Sequence, residues 1–235
     1  MELEGKIINF LGDSITEGAG VADPANVFPA RLARMCRLKE ARNYGVGGTR
    51  IAHQDEIGTH PAGNAVWNQD FCQRALEMDA NADAVVVFGG TNDFGHGDRP
   101  IGSFADRTPE TFYGAVHTLM RTLIERYPGK PLVFLTPLHR LNEDNPRGDG
   151  YKVRPVGILN DYVDIIKECA AFYALPVLDL HAMSGLQPRV ECIQKQFMPD
   201  GLHPNDAGHA ILADRIAAFL RALNGVDIRF EALHH

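Results

Sequence analysis

The sequence predicts an α/β protein, a three-layer α/β/α sandwich around a central, mostly parallel sheet of about five strands. Three features carry this expectation. Short β-rich apolar runs alternate with longer stretches of helical spacing, as in parallel strands buried on both faces and joined by helices. No internal repeat, low-complexity run or linker interrupts the alternation. Glycine-rich polar segments follow the strands, where ligands gather in open sheets of this kind.

The strand candidates are "KIINFLG" (6–12), "ADAVVVFGG" (82–90), "KPLVFLTP" (130–137) and "ALPVLDL" (174–180), with a weaker one in "EARNYGV" (40–46). The clearest helical patterns cover 108–130, 156–174 and 204–225. In the first, Thr108 is the expected N-cap with Pro109 at the first helical position, and Pro128 and Gly129 end the helix. Gly225 is the expected C-cap of the last. Residues 1–230 read as one domain, and 231–235 as a tail whose closing histidines look like a tag remnant.

A chain of 235 residues that is 45% hydrophobic buries a core of its own. Its net charge of -7 argues against nucleic acid and against an anionic membrane surface as partners. A small-molecule substrate suits it better. Cys36, Cys72, Cys169 and Cys192 form no close pair in sequence, so a disulfide scaffold and a cysteine zinc site are both disfavoured. The acidic start "MELEG" lacks the basic residues of a secretory signal, and no run approaches the roughly 20 apolar residues of a membrane span. A cytoplasmic location is expected.

Four segments carry chemistry. In "FLGDSITEG" (10–18), Ser14 follows a strand and precedes a turn, where a serine either caps a helix or is exposed as a nucleophile. A nucleophilic serine needs a base, and the base needs an orienting group. "MPDGLHPNDAGH" (198–209) offers both, because Asp200 and His203 stand three apart and face each other across one turn. "NYGVGGTRI" (43–51) opens backbone N–H groups through Gly45, Gly47 and Gly48, and "GGTND" (89–93) offers the Asn92 amide to developing negative charge. Taken singly, each segment reads first as an ordinary cap, loop or turn.

Together and in order, these segments resemble the blocks of the SGNH hydrolases, also called the GDSL esterase/lipase family. "GDSIT" is similar to the first block, with Ile15 where the family name has Leu; "NYGVGG", "GTND" and "DGLH" are similar to the others. The resemblance implies a flavodoxin-like fold and an ester hydrolase of acyl-enzyme type. It implies Ser14 as nucleophile, His203 as base and Asp200 as its orienter. The Ser14 and Gly48 N–H groups and the Asn92 side chain would form the oxyanion hole. No metal or organic cofactor is required.

Asp13 is expected to brace the Ser14 turn, and Glu17 to be a solvated acid in the first helical turn. His53, His60, His96, His139 and His209 show no tight two-His, one-carboxylate spacing, so metal ligation is not expected of them. Arg99, Arg107, His139, Arg140 and Tyr151 lie in loops expected to wall the substrate site. That polar wall favours short acyl groups on polar alcohols, such as acetylated carbohydrates. A thioesterase or lysophospholipase would use the same residues. From other classes, a non-catalytic binding module and a phosphate binder are the rivals, the second leaving Asp200 and His203 unexplained.

Overall fold

A computed structural model describes residues 1–55 and 60–223. In chain order the elements are β1 (Ile7–Gly12), α1 (Ser14–Glu17), α2 (Phe28–Met35), β2 (Glu40–Gly45), α3 (Phe71–Glu77), β3 (Ala84–Phe88), α4 (Thr91–Gly95), α5 (Phe112–Arg126), β4 (Leu132–Leu135), α6 (Leu159–Phe172), β5 (Val177–Leu178), α7 (Leu180–Met183), α8 (Glu191–Phe197) and α9 (Asp206–Ala222). The five strands form one sheet in the order β2-β1-β3-β4-β5, every neighbouring pair parallel. The expected fold class holds.

Alternation along the strands builds two cores. Ile7, Leu11, Val85, Val87, Leu132 and Phe134 face the layer that contains α3, α5 and α6. Ile8, Phe10, Val86, Phe88, Val133 and Leu135 face the layer of α2 and α9. β1, β3 and β4 are buried along their whole length, so the apolar runs of β3 and β4 are continuous in sequence and that of β1 is broken only by the buried Asn9. β2 lies at the edge and is partly exposed, which explains its weak apolar signal.

The chain winds outward in opposite directions from β1, which places a topological switch point between β1 and β3. A crevice at the carboxyl ends of those two strands follows from the topology. β1 leads directly into Ser14 and β3 into the segment bearing Asn92.

Several expected boundaries move. The strands at 82–90, 130–137 and 174–180 shorten to Ala84–Phe88, Leu132–Leu135 and Val177–Leu178. At the last of these, the Asp179 side chain accepts from Ala182 N–H, so Leu180 begins α7 instead of extending the strand. The first long helix is capped by Thr111 and not by Thr108. The Phe112 and Tyr113 N–H groups donate to the Pro100 and Ile101 carbonyls, committing that stretch to the neighbouring loop, and the Thr111 hydroxyl accepts from Gly114 N–H. Helix α9 starts after Asn205, whose side chain accepts from Ala207 and Gly208 N–H. The expected C-cap Gly225 lies outside the described residues. The short helices α2, α3 and α8 were not foreseen.

All four cysteines are free thiols, with Cys192 exposed and the others buried. Among the described residues, no helix is long and apolar enough to cross a membrane.

Candidate active site

Ser14 sits at the first position of α1, immediately beyond β1. It is not the cap. Asp13 fills that role, accepting from Ile15 N–H at 3.0 Å, and so frees the Ser14 hydroxyl. The Ser14 Oγ lies 2.9 Å from His203 Nε2. On the other side of the ring, His203 Nδ1 lies 2.6 Å from Asp200 Oδ2. The remaining Asp200 oxygen accepts from the Leu202 and His203 N–H groups at 2.9 and 2.7 Å, a tight turn that fixes the carboxylate on its own histidine.

Partial burial opposes ionisation of Asp200, but the His203 ring and these two N–H groups outweigh it and hold its carboxyl at about 2. The group therefore carries a negative charge beside the imidazole near neutrality. Asp13 is the opposite case. Burial raises its carboxyl to about 6, against the Ile15 N–H and the His203 charge. Glu17 is exposed, as expected of it.

Close packing supports the histidine. A side chain at Gly20 would meet the Pro204 carbonyl at 2.8 Å and His203 Cβ at 3.1 Å, so the loop after α1 lies directly under the His203 backbone. Leu141 N–H donates to the Gly201 carbonyl at 3.1 Å and ties the loop after β4 to the same turn.

The second side of the site is the loop after β2. Gly48 has φ +76, and a Cβ there would fall 1.8 Å from Trp67 Nε1, so glycine is required for backbone conformation and for space alike. Among the described residues nothing accepts from the Gly48 or Ser14 N–H. Gly47 also approaches Ser14, a Cβ on it falling 3.7 Å from Ser14 Cβ; Gly45 instead packs against the α1 backbone at Glu17. Asn92, buried in α4, donates one Nδ2 hydrogen to the Thr49 carbonyl at 3.0 Å. That bond fixes the amide and leaves its second N–H available.

Two positioning residues escaped the sequence reading. Asp93 accepts from Ile51 and Ala52 N–H at 2.9 and 2.8 Å, and clamps the Gly48 loop to α4 beside Asn92. Arg74, buried in α3, donates to the Thr49 hydroxyl at 2.8 Å, to the Gly12 carbonyl at 3.1 Å and to the Tyr44 carbonyl, joining the ends of β1 and β2 to that loop. Burial lowers its guanidinium to about 10. Only the "ND" pair gave a local sign of the first; nothing in sequence marked Arg74.

The expected polar wall is largely redistributed. Arg140 is buried and donates to Thr91 and Asp149, Arg99 is held by the His53 carbonyl and Asp55, and Arg107 packs over Phe104 and Phe172. Tyr151 does stay by the site. Its ring meets His60 at 4.5 Å, within an aromatic group in which Trp67 stacks on His96 at 4.1 Å against Gly48. Burial first, and then the Arg50 charge, lower the His96 ring to about 2, so it is neutral. His53 pairs with Asp70 and Asp55, His209 is buried against Phe28, and His139 joins Glu143 and His181.

Comparison with known proteins places this α/β architecture among the esterase-type hydrolases. The chain belongs to the GDSL-like lipase/acylhydrolase family, whose sequence pattern it matches over residues 10–211. One solved structure is 32% identical, covering 95% of this chain and 99% of its own, with a TM-score of 0.79. A protein from Lactobacillus plantarum is 27% identical over 94% of this chain and 98% of its own, also at a TM-score of 0.79. A two-domain esterase active on acetylated mannans shares the fold, with a TM-score of 0.61 and 21% identity, covering 98% of this chain but 52% of its own. Comparison with curated proteins returns no match.

Proposed function

We propose that this esterase works through an acyl-enzyme on Ser14, and that its substrates are short-acyl esters of polar alcohols such as acetylated carbohydrates. The observation that carries the mechanism is the continuous chain from Ser14 Oγ through the His203 ring to Asp200 Oδ2, at 2.9 and 2.6 Å.

His203 Nε2 takes the hydroxyl proton as Ser14 Oγ bonds to the ester carbonyl carbon. Asp200 holds the Nδ1–H tautomer and stabilises the imidazolium. The carbonyl oxygen becomes an oxyanion facing the Ser14 and Gly48 N–H groups and the free Asn92 N–H. Collapse breaks the bond to the alcohol, which leaves with the proton from His203. Water then attacks the acyl-enzyme, gives its proton to His203, and the acid departs as that proton returns to Ser14 Oγ.

The substrate class rests on the aromatic group beside Gly48. Trp67, His60 and Tyr151 combine flat apolar faces with polar edges, a surface suited to polar rings more than to a long alkyl chain. The same fold serves acetylated mannans in the two-domain esterase. Hydrolysis of p-nitrophenyl acetate is expected to be faster than that of the palmitate ester; the reverse order would remove the short-acyl reading. Fluorophosphonate labelling followed by peptide mapping is expected to modify Ser14. Labelling elsewhere, or equal activity in a Ser14→Ala variant, would remove the mechanism.

A further inference from the structure

We propose that His139, Glu143 and His181 form a binding site for one divalent first-row transition cation, best matched by Zn2+, outside the hydrolytic machinery. One ligand atom from each of the three lies within 4.8 Å of the other two, and this is a two-histidine, one-carboxylate donor set. Such a set suits zinc, which binds imidazole nitrogen and carboxylate oxygen at about 2.0–2.2 Å and completes a tetrahedron with water.

The three side chains are in mutual contact. His139 Nδ1 faces Glu143 Oε2 at 2.8 Å, while the two imidazoles lie 3.7 Å apart between centroids. Among the described residues His181 Nδ1 is buried without a hydrogen bond of normal geometry, the Pro137 carbonyl standing beside the ring, and coordination through this nitrogen would satisfy it. Glu143 is itself buried and oriented by the Arg140 N–H at 3.1 Å and by Gln187. Preorganisation of the carboxylate by such outer bonds is a usual feature of metal sites.

Nearby charges leave room for a cation. Arg189 stands 3.6 Å from Glu143 but bonds more closely to Asp144, at 2.5 Å. The Arg140 guanidinium is turned away to Thr91 and Asp149, and the Asp179 carboxylate near His181 is paired with Lys167 at 2.8 Å. The ion would join the loop after β4 to α7. Since Leu141 of that loop bonds to Gly201, it would also stiffen the turn carrying Asp200 and His203.

The test is metal binding by the chelator-treated full chain, read without ester turnover. Isothermal titration with Zn2+ is expected to give one site per chain and a rise in melting temperature, with affinity at least about tenfold weaker in His181→Ala and in His139→Ala. Co2+ substitution in the unaltered protein is expected to give visible ligand-field bands without thiolate charge transfer. Substoichiometric uptake would overturn the site. So would unchanged affinity in both variants, or a thiolate band reporting the exposed Cys192.

Discussion

Two histidine–carboxylate pairs of almost the same geometry stand on the rim of this molecule. His203 lies 2.6 Å from Asp200, and His139 lies 2.8 Å from Glu143. The third partner separates them. The far nitrogen of His203 meets a serine hydroxyl at the end of a central strand, whereas His139 packs against a second imidazole. A pair of this kind has no fixed chemistry; what the topology brings to its open side decides whether it would move a proton or hold an ion.

The largest expected effect removes that distinguishing partner. Ser14→Ala is expected to lower kcat by about a millionfold, measured on p-nitrophenyl acetate, with the melting temperature nearly unchanged. Asp200→Asn tests whether the carboxylate selects the tautomer, and a loss of about ten-thousandfold in kcat is expected. Asn92→Ala probes the oxyanion side and is expected to cost about a hundred- to thousandfold in kcat, roughly 2.7–4 kcal/mol, with a smaller change in KM.

The smallest effect concerns a histidine in neither pair. The Phe28 N–H donates to His209 Nδ1, and burial first, then Arg31, lower that ring to about 4 from 6.5. Because the fold binds the neutral ring, the stability this supplies is complete above pH 6.5 and is lost as pH falls toward 4, about 3 kcal/mol in all. Asp13, raised to about 6, has the opposite sign: its contribution is present at low pH and lost as pH rises through 6. Denaturant midpoints at pH 7, 5.5 and 4.5 for the native chain and His209→Gln separate the two, the variant showing the shallower acid loss.

Legibility followed range. The buried strands were readable because an all-parallel sheet demands continuous apolar runs, and β3 with its three valines is the clearest example. The Thr108 cap failed because bonds from Phe112 and Tyr113 to a distant loop outcompeted a local signal. Asp200 and His203 were visible as a pair since their contact spans one turn, and Ser14 was visible as a choice between cap and nucleophile. Asp13 takes the cap, and the Ser14 hydroxyl faces His203 instead.

The sequence alone determined the α/β class, the order of its strands and of its three longest helices, and the residue types available at each strand end. These depend on periodicity and local backbone chemistry, which act over a few residues. Only the tertiary structure decided that His203 meets Ser14 across the chain, that Arg74 and Asp93 clamp the Gly48 loop, and that His181 joins His139 and Glu143. Those contacts arise where parallel strands end side by side, and that juxtaposition is set by sheet order, which no local pattern encodes.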